Sequence, residues 1–223
     1  GRRVQPAAFF VLRESIMYTR DILKIEDRDE ITAIIQQNSF AALTGPGADG
    51  RITGTHLPFM YDPSVGEHGQ LIAHMGKSND HWMGFSDDAE FMVIFAGPHG
   101  YISPAWYADE PAVPTWNYVA IHAYGVPRVI EDETAKRQML VNLIAENEAQ
   151  FEPPWTYQGS ENFMSAMIRA TVAFEIDITK LDAKAKLGQN RTDGDKAGTI
   201  DGLRAQGDDM SLALADLSNK FNS

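Results

Sequence analysis

Short alternating runs separated by tight turns do most to limit what this chain can fold into. Residues 39–44 and 51–61 read as neighbouring antiparallel strands, joined through Gly45-Pro46-Gly47 and the Asp49-Gly50 pair, residue types that reverse a chain between adjacent strands. A second turn over 62–69 leads into a third run at 70–75, and further runs follow at 91–96, 117–130 and 171–181. The alternation is clearest at 117–130, where Tyr118, Ala120, His122 and Tyr124 fall on one side and Val119, Ile121, Ala123 and Gly125 on the other. About six strands in hairpin-like succession exclude repeating βαβ units. They predict a mainly β fold of the α+β class, an antiparallel barrel or sheet with helices packed outside.

The helices are marked by their ends. Asp27 caps a helix over 27–37, with Asp29 and Glu30 in its first turn and Ile31, Ile34 and Ile35 as its apolar stripe. A second helix is expected at 131–150 with Met139, Leu140, Leu143 and Ile144 facing the body, and a third at 160–170 after Pro153-Pro154. A short helical segment is expected at 81–85, and the tail reads as two helices over 196–206 and 209–220. Residues 1–16 are expected to be an N-terminal extension or cloning remnant, with a single domain from 17 to 223.

Charge limits the partners. The formal net charge is −12, and the first 20 residues carry four arginines against one glutamate, so the remainder bears −15. Such a body repels polyanions, whose affinity for proteins comes mainly from Lys and Arg neutralising phosphates. With no cysteine, the chain has no thiolate nucleophile, disulfide or zinc–sulfur site, which fits a cytoplasmic protein. No apolar run approaches the length of a membrane span.

Four segments carry candidate chemistry. The stretch from Phe91 to Ile130 encloses Tyr101, Ser103, Trp106, Tyr107, Thr115 and Trp116 between two strands, more ring surface than a solvated loop needs. Those rings either pack over a core or build a pocket for a flat ligand. Residues 74–79, His74-Met75-Gly76-Lys77-Ser78-Asn79, end a strand and open a short helix, a natural phosphate cradle or else a plain turn. A P-loop is excluded because Leu71 stands where its first glycine belongs. Thr53 and Thr55 share one face of a strand that Gly54 interrupts, and can donate to a ring edge or a phosphate. The basic patch at 184–191 combines lysines with the amides of Gln189 and Asn190, suited to a phosphate, a flavin or an acidic neighbour, or simply to a solvated turn. The six histidines show no metal-binding spacing, and no hydrolase elbow or dinucleotide-binding glycine motif is present.

Taken together, these segments resemble the PaiB family of FMN-binding split-barrel proteins, described as negative transcriptional regulators. The resemblance rests on Thr55-His56-Leu57-Pro58, on His74 through Trp82, on the runs GPHGYISPAWY, VPTWNY and VAIHAYG between 97 and 125, and on KLGQNR at 186–191. Ala185 stands where the family typically has tryptophan, and Gly188 where it has serine. The resemblance implies a six-stranded antiparallel split β-barrel that forms a homodimer and holds FMN in the groove between subunits. Lys77, Ser78 and Asn79 would then contact the phosphate, beside His74. Thr53, Thr55, His56, Leu57 and Pro58 would run along the flavin. Trp106, Tyr107, Thr115, Trp116 and Asn117 would cover the ring, and Lys186, Gln189 and Asn190 would close the site. Catalytic residues are not assigned. The functional expectation is a regulator acting through a protein partner. The alternatives are an FMN-dependent oxidoreductase fed by reduced nicotinamide, and a haem or small-ligand binder using the same groove.

Overall fold

A computed structural model describes residues 17–222, so the expectations for residues 1–16 lie outside the described residues. The first helix, α1 (Arg28–Gln37), begins where its cap predicts: the Asp27 side chain accepts from the Glu30 amide, and Ile31, Ile34 and Ile35 are buried. Nine strands follow among the described residues: β1 (Phe40–Pro46), β2 (Ile52–Pro58), β3 (Met60–Asp62), β4 (Gln70–Gly76), β5 (Phe91–Ile102), β6 (Thr115–Gly125), β7 (Pro127–Val129), β8 (Thr171–Asp177) and β9 (Lys180–Lys186). They form two antiparallel sheets, ordered β2-β1-β5-β6-β9 and β3-β4-β8-β7. The α+β class with antiparallel sheets therefore holds.

The sheets are joined by strands that turn a corner, and there the observed elements depart from the expected ones. The run expected to be continuous over 51–61 breaks at Phe59, whose side chain is buried in the core and whose amide donates to the Ser39 carbonyl. The run at 117–130 breaks at Val126 and the run at 171–181 at Ile178 and Thr179, each half joining a different sheet. Alternation continues across a corner in sequence, so periodicity alone counts two short strands as one long one. Strand β5 also extends six residues past Ala96, because a bulge between Ala96 and His99 absorbs Gly97 and Pro98 and restores pairing with β6. The basic patch at 184–191, for which a solvated turn was one alternative, lies partly in β9, paired along its whole length with β6.

The core lies between the sheets. Phe59 sits edge-on to Phe95 and Phe174 at 6.0 and 6.3 Å, and Leu43, Leu71, Phe91, Ile121 and Ile176 fill the space around them, all 2% exposed or less. Two helices, α2 (Glu133–Glu148) and α3 (Glu161–Arg169), form a hairpin outside the sheets that buries only Met139, Met164 and Ile168; the rest of the expected α2 stripe is half-buried. The tail helices α4 (Asp193–Gln206) and α5 (Asp209–Asn222) pack on the bulged end of β5, where Leu203 and Leu214 close over Gly100.

Candidate functional site

Strand β2 pairs only with β1, so its second edge is unpaired among the described residues and offers a row of backbone donors and acceptors to a ligand. Its side chains alternate. Thr53, Thr55 and Leu57 point to the core side, and Leu57 is buried there, whereas Gly54 and His56 lie on the outer face, where His56 stacks on Phe40 at 6.1 Å. Across the gap from β2, strand β4 ends at Gly76. The 3-10 turn Asp80–Gly84 then inserts beneath the β2 edge, fixing the loop between them.

That loop is tightly specified. The Lys77 amide donates to the Ala170 carbonyl (2.8 Å), and the Asn79 amide donates to the Gly76 carbonyl (2.9 Å). The Asn79 side chain caps the 3-10 turn, accepting from the His81 amide (3.1 Å) and donating to Thr55 Oγ1 (3.3 Å). Thr55 Oγ1 also lies 2.8 Å from His81 Nδ1. Lys77 Nζ and Ser78 Oγ, by contrast, are exposed and have no partner among the described residues. His74, on the outward-facing side of β4, is half-buried; its Nδ1 has no hydrogen-bond partner among the described residues, and burial holds its pKa below the usual histidine value. Beside Lys77 opens a groove of about 320 Å³, lined also by Trp82, Lys136 and Arg169 and by the carboxylates Glu131 and Glu133. Lys136 and Arg169 lie on the helical hairpin, far from Lys77 in sequence, and no motif linked them to it.

A second group gathers at the other end of the same sheet. The Lys186 ammonium donates to Thr115 Oγ1 and to the Trp116 carbonyl (2.8 Å), tying the end of β9 to the start of β6. Burial lowers its pKa, opposed by Tyr118 and reinforced by Lys184. Asn117 is buried, while Trp116 is 56% exposed and meets Tyr101 edge-on at 6.3 Å and His99 at 6.4 Å. Gln189 braces the turn after β9, accepting from the Leu187 amide and donating to the Ala185 carbonyl, and Asn190 is exposed. Ala185 itself is fully buried on the core side, opposite to the lysines that flank it. Substitution at 185 therefore acts on core packing.

The loop aromatics take a third location. Trp106 lies against α4, where a Cβ at Gly202 would fall 2.2 Å from its ring and one at Gly198 would fall 1.9 Å from its carbonyl oxygen. Tyr107 is covered by the Arg191 guanidinium at 4.2 Å. Asp195, almost fully buried, accepts from the amides of Ala108 and Asp109. The structure thus brings together Thr55, Asn79 and His81 near Lys77 and Ser78, and separately Thr115, Trp116, Asn117, Lys186 and Gln189. It does not bring the two groups together within one chain. From β2 to β6 is three strand spacings, about 14 Å along the sheet. His81, absent from the expected set, holds the first group together. Its signal was present in the run Lys77-Ser78-Asn79-Asp80-His81, but a lone histidine in a turn has no distinctive spacing. A separate groove of about 400 Å³, lined by Lys24, Arg28, Tyr61, His68 and Asp182 among others, contains none of the expected residues.

The model of a family described as "Putative FMN-binding domain" matches residues 17–180. The "Protease synthase and sporulation protein PAI 2" of Bacillus subtilis (strain 168) is 29% identical over 201 residues, covering 90% of this chain and 96% of that protein. An uncharacterized protein of Saccharomyces cerevisiae, YKL070W, is 35% identical over 96 residues, covering 41% of this chain and 54% of its own length. Among solved structures, the flavocytochrome Anf3 from Azotobacter vinelandii superposes with a TM-score of 0.56 at 17% identity, covering 74% of this chain and 70% of its own. The FAD and heme binding protein from Mycobacterium smegmatis gives 0.54 at 17% identity, covering 74% of each chain. At such identities the shared property is the fold.

Proposed function

The chain belongs to the PaiB-type family described as "Putative FMN-binding domain", and from that membership we propose that it binds FMN in a groove completed by a second copy of itself. The observation that carries this reading is the division of the candidate residues between opposite ends of one sheet, at β2 and at β6 and β9. A two-fold dimer presents one end from each subunit to a shared groove. The outer face of the sheet supports it: Ala42, Met92, Ile94 and Ala120 leave a partly open apolar surface beside the exposed Trp116. In this arrangement the sheets form the split barrel of the FMN-binding type.

The residues fit the group. Lys77 Nζ and Ser78 Oγ, both without a partner among the described residues, supply a charge-assisted contact and a hydroxyl for the phosphate, and the edge of β2 left unpaired by the described strands runs along the ring. Trp116 and Thr115 cover it, with Lys186 holding them in place. FMN supplies reversible one- and two-electron chemistry when bound. A titration followed by flavin fluorescence and visible absorbance tests the reading, with saturation near one FMN per chain expected. An absence of saturable binding by FMN, FAD and riboflavin would overturn it.

The role we assign to the bound flavin is regulatory, exerted through a protein partner. The net charge of −12 opposes direct contact with DNA phosphates. Sequence-specific gel-shift binding at physiological salt would contradict that route, and NADPH oxidation dependent on added FMN would favour an oxidoreductase instead.

A further inference from the structure

The groove beside Lys77, about 320 Å³ between the end of the second sheet and the helical hairpin, gathers three cations: Lys77, Lys136 and Arg169. None of their side chains has a carboxylate or hydrogen-bond partner among the described residues. Their sequence neighbours are paired: Arg137, next to Lys136, meets Glu161 at 2.8 Å, and Arg128, next to Val129 of the groove wall, meets Glu175 and Asp177. With 31 acidic residues against 19 basic ones, carboxylates are not scarce. Three cations left unpaired in one groove therefore suit an anion from outside the chain. We propose that the groove binds a nucleoside diphosphate group, as carried by a dinucleotide cofactor. Lys77 is shared with the flavin site, so the proposal deepens the flavin reading, while the class of ligand rests on the groove alone.

The fold fixes where the cations stand. Strand β4 pairs with β8 so that Gly76 lies opposite Thr171, and the Lys77 amide donates to the Ala170 carbonyl at 2.8 Å. Lys77 and Arg169 thus leave neighbouring stretches of backbone. Lys136 comes across from α2, whose first turn is set by the Asp132 side chain accepting from the Ala135 amide at 2.7 Å. The base of the groove is apolar: Ile168 and Val172 are buried, and Val129 and Trp82 are half-buried. Trp82 Nε1 donates to the Lys77 carbonyl at 3.3 Å, which holds the indole beside the cations.

Each part of the groove answers to a part of the ligand. A pyrophosphate spreads its acceptor oxygens over two centres, as three separated cations require, and the Arg169 fork matches a phosphate edge. An indole is a platform on which an aromatic base stacks, whereas inorganic phosphate leaves the apolar base uncovered. Glu131 and Glu133 complete the lining. As carboxylates they only accept, which suits ribose hydroxyls. The volume is at the lower end for small-molecule sites, enough for a nucleotide-sized group and not for a whole dinucleotide. Lys77 lines this groove and also belongs to the loop facing β2. A flavin dinucleotide would therefore keep its ring along β2, its two phosphates about Lys77, and its adenosine in the groove.

Titration calorimetry on the whole chain with ADP, inorganic pyrophosphate, FMN, FAD and NADH tests this, each variant being checked for fold by circular dichroism. ADP is expected to saturate near one per chain and to bind more tightly than pyrophosphate. K136Q and R169Q are each expected to weaken ADP about tenfold, for one lost charge-assisted contact; where one of them does not fold, the other carries the test. R137Q removes the same charge one residue away, outside the groove, and is expected to keep the wild-type affinity. No saturable ADP binding, or equal losses in all three variants, overturns the proposal. Pyrophosphate binding as tightly as ADP overturns the nucleoside part. FAD binding more tightly than FMN, with that advantage lost in K136Q and R169Q, supports a flavin dinucleotide as the source of the group. NADH displacing ADP, with FAD no tighter than FMN, supports a nicotinamide dinucleotide instead. Binding of ADP without any flavin would leave the groove assigned and end the flavin reading, and binding of FMN without ADP would do the reverse.

Discussion

Lys77 shows what a single side chain contributes at this site. Its ammonium has no carboxylate partner among the described residues, although acidic residues outnumber basic ones by 12. An unpaired cation beside an unpaired hydroxyl is suited to an anionic group. K77A is expected to weaken FMN by about 1.5–3 kcal/mol, roughly ten- to a hundredfold, while riboflavin affinity stays nearly constant; equal losses for the two flavins would remove Lys77 from the phosphate end. The buried histidines give the molecule a pH dependence. Burial lowers the folded-state pKa of His74, His81 and His122 below the ordinary value of 6.5, with Asp182 opposing part of the shift at His122. In the window between the folded and unfolded values, the unfolded chain binds more protons, so stability falls as pH falls. The urea midpoint is expected to be flat above about pH 7.5 and to drop as pH goes below about 6.5, with a shallower drop in H74Q. A midpoint unchanged down to the carboxylate range would contradict it.

Among the elements, helix α4 explains the glycines of the tail. Gly198 and Gly202 lie one turn apart, and side chains there would collide with Trp106. The loop therefore docks by backbone proximity, reinforced by Arg191 over Tyr107 and by Asp195 beneath the amides of Ala108 and Asp109. G202A improves intrinsic helix propensity but overpacks the contact, which typically costs about 1–3 kcal/mol. The expected outcome is a lower denaturation midpoint together with a red-shifted tryptophan emission as Trp106 is displaced. An unchanged emission with higher stability would show that the ring does not bear on α4. The basic patch also makes sense as an element, since Lys184 and Lys186 lie on the face of β9 opposite Ala183 and Ala185, with Lys184 buried there against Tyr18 and Tyr118.

For the whole molecule, the decisive feature is the distance between the two groups of candidate residues, three strand spacings apart. K77A disables the β2 end and K186A the β6 end, so each variant alone should bind FMN poorly. If the groove is shared, mixing them after unfolding and refolding should restore about a quarter of the wild-type sites, as random assortment into two-fold dimers requires. Recovery of no sites, with both variants folded, would place a complete site within one chain.

Much of the architecture was legible in the sequence because it is local. The Asp27 cap, the Asp49-Gly50 turn between β1 and β2, and the alternation of β6 follow from the geometry of a few consecutive residues and are observed, whereas Gly45 and Pro46, expected in that turn, pair with Thr53 and Ile52 as the last residues of β1. The run His74 through Trp82 likewise pointed to the loop where Thr55, Asn79 and His81 meet. Sequence could not show where a strand changes sheets, since alternation passes through Phe59, Val126 and Ile178 unbroken while the pairing partner changes. Nor could it show that Trp106 faces α4, that Lys136 and Arg169 join Lys77, or that His81 holds Thr55. Those pairings depend on which segments the tertiary fold sets side by side. Residue types permitted each role, and long-range packing chose among them.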